Sequence, residues 1–392
     1  QSSLYVLEPG RPPHCLTDDL MKPVGAPYPQ GLAGLLRWST DGRIYFLADQ
    51  QGESFLVSVS VETKEIRSTE LNIRHIAGGA CQMTSVSFDG NNGKAVVAFT
   101  SPKSYGDLQL IDVKNGDCSQ LTFYNTSYFN EHPPATLRKF SFDRAGFDIQ
   151  ARVWFPPEFD ESRKYPLILD IHGGPNGCFY DTFTPVQHIL ATAGYVVLAV
   201  NPRGSSSYGL EFTMAVLGDW GGEDYQDLMM AVDELVDRPY IDESRLGVYG
   251  YSYGGFMSSW VVGHTDRFKA AVIGAPCINL SSMYGTSDIG ISFGERQWGG
   301  LRKDALDKYM ERSPLTYASN VTTPVLLMHG EADYRVPIEQ GEQFFVTLKR
   351  LGKEIEFVRF PDSAHGFVRL GHPKLRVEYL TRVLGWFEKH LE

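Results

Sequence analysis

With 392 residues, 42% of them hydrophobic and 21% charged, the chain has room for two domains and a large core, and its composition argues against disorder. A net charge of −11 without any notable Lys/Arg cluster excludes nucleic acid as a partner, because phosphate binding needs a basic patch. No apolar run approaches the roughly 20 residues that span a bilayer and no signal peptide opens the chain, so no membrane association is expected. Five widely spaced cysteines, Cys15, Cys81, Cys118, Cys178 and Cys277, include no Cys-x-x-Cys and fit reduced thiols in the cytoplasm better than a disulfide framework. The first residue is Gln1, which suggests either processing or a longer parent chain.

The N-terminal third repeats. Segments Leu4 to Thr17, Leu56 to Thr69 and Leu108 to Thr122 each combine an alternating strand, a polar turn and a second strand closing on Thr, and their starts lie 52 residues apart. That period suits four-stranded propeller blades. Between them, Trp38 to Gly42 before Ile44, and Val86 to Gly90 before Ala95, read as hairpins turning at Asp-Gly. Residues 1–123 are therefore expected to form a partial β-propeller of about two whole blades plus the end of another. Closing the ring would take a separate or removed N-terminal segment. A small antiparallel β domain of no special kind is the alternative.

Residues 124–138, with Pro133-Pro134, read as a linker. From 139 to 392 strand and helix signals alternate as in an α/β domain with a mostly parallel sheet. Lys139 to Asp143 and Ile149 to Phe155 suggest a hairpin, and Pro166 to Ile171 and Tyr195 to Val200 are apolar runs suited to strands buried on both faces. Helices are expected over Phe183 to Thr192, Asp224 to Val236, Ile338 to Leu351 and Lys374 to His390. The remaining strands are Leu246 to Tyr249, Ala270 to Ile273, Pro324 to Met328 and Ile355 to Phe360.

The strand at Leu246 drives into Gly250-Tyr-Ser-Tyr-Gly-Gly255 and out into a helical pattern, which predicts a nucleophile elbow with Ser252 at its tip. Asp333 and His365 each follow a later strand, and the order Ser, Asp, His belongs to α/β-hydrolases. A serine hydroxyl needs an imidazole to take its proton, and the imidazole needs a carboxylate to fix its tautomer and stabilise its charge. The developing oxyanion needs donors. One candidate is the N–H of Tyr253; the other is that of Gly173 or Gly174 in His172-Gly-Gly-Pro175, with Gly174 favoured. His172 and His329 each end a strand and read as packing residues rather than catalytic ones. No metal-ligand spacing is apparent, so the chemistry is expected to use no metal or other cofactor.

Several separate segments resemble the prolyl oligopeptidase family of serine peptidases, closest to its acylaminoacyl peptidase branch. They are His172 to Pro175, Asn201 to Ser205 with Tyr208-Gly209, Gly218 to Gly222, Gly250 to Gly255, Arg312 to Tyr317, His329 to Pro337 and His365-Gly366. The resemblance implies a β-propeller over an α/β-hydrolase domain, short peptides as substrates, and Arg335 reaching a substrate carbonyl on the acyl side of the scissile bond. Dipeptidyl peptidase relatives tend to carry Asn there, so Arg335 tilts the reading toward an oligopeptidase or acylaminoacyl peptidase. Phe179, Phe293, Trp298 and Trp260 stand near the presumed site in sequence, and Phe293 and Trp298 are expected to line an apolar S1 pocket. Family precedent also points to a homo-oligomer. The competing readings are a dipeptidyl peptidase, a carboxylesterase or amidase using the same triad, and a non-catalytic propeller scaffold. The mark of the last would be loss of a triad member, and none is lost.

Overall fold

A computed structural model describes residues 4–16, 36–68, 81–90 and 93–392. The chain divides into two compact units, one of Gln1–Pro134, Cys178–Thr184 and Ser206–Thr213, the other of Ala135–Gly177, Pro185–Ser205 and Met214–Glu392.

Among its described residues the first unit holds three antiparallel sheets. β1 (Tyr5–Val6) pairs with β2 (His14–Cys15); β3 (Arg37–Trp38), β4 (Arg43–Gln50), β5 (Glu53–Ser60) and β6 (Ile66–Ser68) form a meander, as do β7 (Gln82–Phe88), β8 (Lys94–Ser101), β9 (Ser104–Asp112) and β10 (Cys118–Gln120). The sequence repeat is the last hairpin of each sheet: Tyr5 pairs with Cys15, Val57 with Ser68 and Gln109 with Gln120. Thr17 and Thr69, which close two of the repeats, lie outside the described residues. Thr122 closes the third, donating its hydroxyl to Asp107 Oδ1 at 2.8 Å. Alternation along β4 and β5 explains how the sheets associate, because successive side chains leave opposite faces. Phe46, Ala48, Val57 and Val59 pack with Leu4, Val6 and Leu16, whereas Leu47 and Leu56 pack with Met83, Val97, Phe99 and Ile111. The middle sheet is thus buried on both sides.

The stretch read as a linker is structured. It contains the helix Thr126–Glu131 and the start of β11 (Thr136–Arg144). Phe129 packs on Phe183 with ring centroids 5.4 Å apart, which gives the short helix an anchor. The strand predicted over Lys139 to Asp143 is present and begins earlier, at Thr136, inside the stretch read as a linker, because its first residues lie on a mostly exposed sheet edge.

The second unit is built on one eight-stranded sheet of β11, β12 (Phe147–Phe155), β13 (Tyr165–Ile171), β14 (Val196–Asn201), β15 (Ile241–Tyr251), β16 (Phe268–Gly274), β17 (Val325–Gly330) and β18 (Ile355–Phe360). The order is 11-12-14-13-15-16-17-18; β11 and β12 run antiparallel and the strands from β14 to β18 are mutually parallel. This is the α/β domain with a mostly parallel sheet expected from the alternation of strand and helix. β13 and β14 are buried along their whole length, as continuous apolar runs require. Helix Glu223–Val236 opens on two acidic residues, favourable at the positive end of the dipole, and buries Leu228, Ala231, Val232 and Leu235. Helix Tyr253–His264 is buried on every side except at His264, so it shows no amphipathic stripe. None of the five cysteines is in a disulfide. No described helix is long and apolar enough to cross a membrane.

Candidate active site

β15 ends in a sharp turn at Ser252, whose φ of 64° and ψ of −119° hold it in a region that costs a non-glycine residue energy. The turn is possible only with glycine around it. A Cβ on Gly250 would stand 2.2 Å from the carbonyl oxygen of Gly254, and one on Gly254 would stand 2.0 Å from that of Ile171. The Ser252 N–H donates to Gly274 O at 2.9 Å, and the Ser252 carbonyl accepts from Phe256 N at 2.8 Å, so the elbow is tied to the end of β16 and to its own helix.

The loops after β17 and β18 bring the other two residues to this tip. His365 Nε2 lies 2.9 Å from Ser252 Oγ, and His365 Nδ1 lies 2.7 Å from Asp333 Oδ2. Asp333 Oδ1 accepts the N–H groups of Arg335 at 3.0 Å and Val336 at 2.9 Å. Burial pushes the Asp333 carboxyl up, but the imidazoles of His329 and His365 outweigh it and hold the group down at about 2. Of the two, His365 is the hydrogen-bonded partner. His329 Nε2 stands 3.6 Å from the carboxylate and spends its N–H on Val336 O at 2.8 Å. An acceptor at Nδ1 fixes the His365 proton there and leaves Nε2 free to receive one from a hydroxyl. Tyr251, which has no role in the sequence reading, donates its hydroxyl to the carbonyl of His365 at 2.8 Å and packs on its ring.

The glycine pair lies beside the elbow: a Cβ on Gly173 would be 3.5 Å from Ser252 Cβ. Among the described residues, the backbone N–H groups of Gly174 and Tyr253 have no acceptor. His172 turns away, with Nδ1 at 2.8 Å from Gly173 O and Nε2 at 2.9 Å from Ser205 Oγ, and burial lowers its pKa to about 4. The ring is therefore neutral at physiological pH.

Arg335 is held by a two-point contact with Asp288, Nε to Oδ1 at 2.8 Å and Nη2 to Oδ2 at 3.2 Å. Phe293 is half-buried and meets Trp220 edge-on at 6.0 Å. Trp298 is 2% exposed and enclosed by Trp220, Phe293 and Tyr309. Its bulk made it a candidate wall residue, and the same bulk fills the core behind Phe293. Trp260 is likewise core. Trp220 touches Tyr253, Phe256, Phe293 and Trp298 and is the centre of this aromatic group. Its position in Gly218-Asp-Trp-Gly-Gly222 was the available signal. Among the described residues no group of three or more His, Cys, Asp or Glu could hold a metal ion.

The sequence model of the prolyl oligopeptidase family matches residues 181–392. An uncharacterised peptidase of Bacillus subtilis, YuxL, is 39% identical over 357 residues, covering 90% of this chain and 53% of its own. Dipeptidyl-peptidase 5 of Porphyromonas gingivalis is 30% identical over 371 residues, covering 91% of this chain and 52% of its own. Among solved structures, Pyrococcus horikoshii acylaminoacyl peptidase superposes with a TM-score of 0.87 at 29% identity, over 99% of this chain and 59% of that one. The chain spans about half the length of the curated relatives it matches.

Proposed function

The chain belongs to the prolyl oligopeptidase family, and from that premise we propose that it is a serine peptidase that cleaves short peptides through an acyl-enzyme. The hydrogen-bonded line from Asp333 through His365 to Ser252 carries the reading. Ser252 Oγ attacks the scissile carbonyl as His365 Nε2 takes its proton. Asp333, ionised over the whole working range, stabilises the imidazolium. The carbonyl oxygen becomes an oxyanion that meets the N–H groups of Tyr253 and Gly174, neither of which has another acceptor to give up among the described residues. Collapse expels the amine, which takes the proton from His365, and water then repeats the sequence in reverse to release the acyl group.

Arg335 directs its remaining N–H groups to a substrate carbonyl on the acyl side, with Asp288 fixing its fork. That residue favours oligopeptidase or acylaminoacyl peptidase activity, whereas one relative's name, dipeptidyl-peptidase, keeps the free-amine alternative in play. The stacked sheets of the first unit support the propeller reading, as the end of one blade and two whole ones. Five cysteines without a disulfide suit a cytoplasmic setting.

The test is Ser252→Ala. The variant should fold and lose turnover of an acyl-amino-acid anilide; retained hydrolysis overturns the assignment. The same assay with a dipeptidyl anilide and a simple ester ranks the substrate classes, and dominance of the ester would favour an esterase.

A further inference from the structure

The segment Gly218-Asp-Trp-Gly-Gly-Glu-Asp224 has no part in the triad, yet it ends directly against the nucleophile's neighbour. The Tyr253 hydroxyl donates to Asp224 Oδ2 at 2.5 Å, and the tyrosine ring meets Trp220 edge-on at 5.0 Å and stacks on Phe256 at 5.8 Å. Tyr253 is 1% exposed and Asp224 is also 1% exposed, so this contact is made in the dry interior. A buried aspartate aimed at a tyrosine could be simple core packing. Three observations argue for more.

Tyr253 is the residue whose backbone N–H faces the oxyanion in the reading above, and it is the first residue of its helix, where that N–H has no intrahelical partner. Immediately before it, Ser252 sits at a backbone conformation that costs on the order of 1–3 kcal/mol and persists only when its surroundings fix it. The side chain of Tyr253 is one such constraint, gripped at its tip and on both sides of its ring. Asp224 is itself held rigidly. Its Oδ1 accepts Tyr225 N at 2.8 Å, and one helical turn on, Asp227 is clamped by Arg203 at 2.8 Å and Arg144 at 2.9 Å. Gly221, at φ +77°, lets the chain pass where a Cβ would stand 2.4 Å from the Trp260 ring, which sets Trp220 and Asp224 on the Tyr253 side.

We propose that Asp224 is a positioning residue for the oxyanion site, fixing through the Tyr253 hydroxyl the angle at which the Tyr253 N–H is presented to the substrate. Trp220 supports the same ring from its side. The proposal rests on the serine peptidase reading, in which that N–H is a donor. An oxyanion donor acts only when it points to where the charge develops, and a small rotation of the first helical residue weakens the bond in the transition state more than any contact in the ground state.

The experiment compares the wild type, Asp224→Asn and Tyr253→Phe in two assays: the second-order rate at which a fluorophosphonate labels Ser252, and kcat and KM for an acyl-amino-acid anilide. Phosphonylation builds the same kind of oxyanion. Labelling and kcat are expected to fall about tenfold or more in both variants while KM stays within about twofold, less than the 10²–10³ lost when a donor is deleted outright. The double variant should be no slower than the slower single one, since both changes break one link. Labelling and kcat within about twofold of wild type, or a change confined to KM, overturns the proposal. If Asp224→Asn fails to fold, Tyr253→Phe, which removes one hydroxyl, decides alone. A wild type that the probe does not label at Ser252 defeats the underlying serine peptidase reading instead, so the two failures are told apart.

Discussion

A loop and a helix start each bring a buried aspartate to a residue in contact with, or next to, Ser252, and they treat its charge in opposite ways. In the loop after β17, Asp333 receives two backbone N–H groups and an imidazole at 2.7 Å; burial works against ionisation and loses, leaving the carboxyl at about 2. In the first turn of helix Glu223–Val236, Asp224 receives one phenol hydroxyl and backbone N–H groups of its own turn; burial wins, and the carboxyl is pushed up to about 7. Burial alone therefore does not set the protonation state. What decides is whether a strong partner, an imidazole able to carry charge, joins the neutral donors. The difference matches the two tasks. A group that stabilises an imidazolium must be anionic whenever the enzyme works, whereas one that anchors a tyrosine ring needs only to hold its hydroxyl.

The strongest way to break this comparison is Asp333→Asn. The amide keeps the shape but presents an N–H donor option and no charge to His365, so kcat is expected to fall by about 10⁴ with the fold retained, measured on anilide hydrolysis beside a thermal melt. A loss of only about tenfold, the size expected for Asp224→Asn, would mean that the two carboxylates are not functionally distinct. A change aimed at the Asp224 side alone is Gly221→Ala. At φ +77° and with the new Cβ 2.4 Å from the Trp260 ring, it should cost about 2–4 kcal/mol in urea unfolding. A cost below about 1 kcal/mol would show that the glycine turn does not fix this side of the site.

How far the two aspartates were legible in the sequence differs for the same physical reason. Ser252, Asp333 and His365 could be found because each follows a strand of a parallel sheet, and chain order then limits their partners. The eight-stranded sheet itself was readable because β13 and β14 are buried, largely apolar runs and β11 and β12 form the predicted hairpin, while the first residues of β11, on the exposed sheet edge, read as linker. Asp224 and Trp220 were visible only as parts of a motif. Their meeting with Tyr253 depends on how a helix on one side of the sheet is docked, and no periodicity records that. Tyr251 was hidden likewise, since its bond goes to a carbonyl 114 residues away. The burial of Trp298 was not legible either: residue type suggests an aromatic wall, but only packing says how much of it is covered.

Acid–base titration sharpens the same comparison. The folded pKa of Asp333 lies below its ordinary value of 3.8, so its stabilising contribution is present above pH ~4 and is lost as pH falls toward 2. The folded pKa of Asp224 lies above 3.8, so its contribution is fully present below pH ~4 and is lost as pH rises through about 7. Asp224→Asn removes that second dependence. The stability of the variant relative to wild type, from urea unfolding, should therefore improve steadily between pH 4 and 7. Asp49 and Asp170 are also raised to about 7, but they are common to both proteins and cancel in the difference. A difference that is flat with pH would mean that Asp224 titrates in the fold as it does unfolded.

Asp288 supplies the exposed counterpart and the smallest effect. It holds Arg335 by the same two-point geometry that makes buried pairs strong, yet the side chains are 41% and 45% exposed, and a pair so open to water is worth no more than about 1 kcal/mol. Replacing it should not disturb the line from Asp333 to Ser252, because Arg335 N reaches Asp333 through the backbone and keeps that bond. Asp288→Ala is accordingly expected to raise KM for an acyl-amino-acid anilide by about two- to fivefold and to leave kcat within about twofold, with the KM effect shrinking at high salt. A fall in kcat of tenfold or more would place Asp288 with the positioning groups of the catalytic loop and remove the distinction between a carboxylate that orients a binding arginine and one that orients the base.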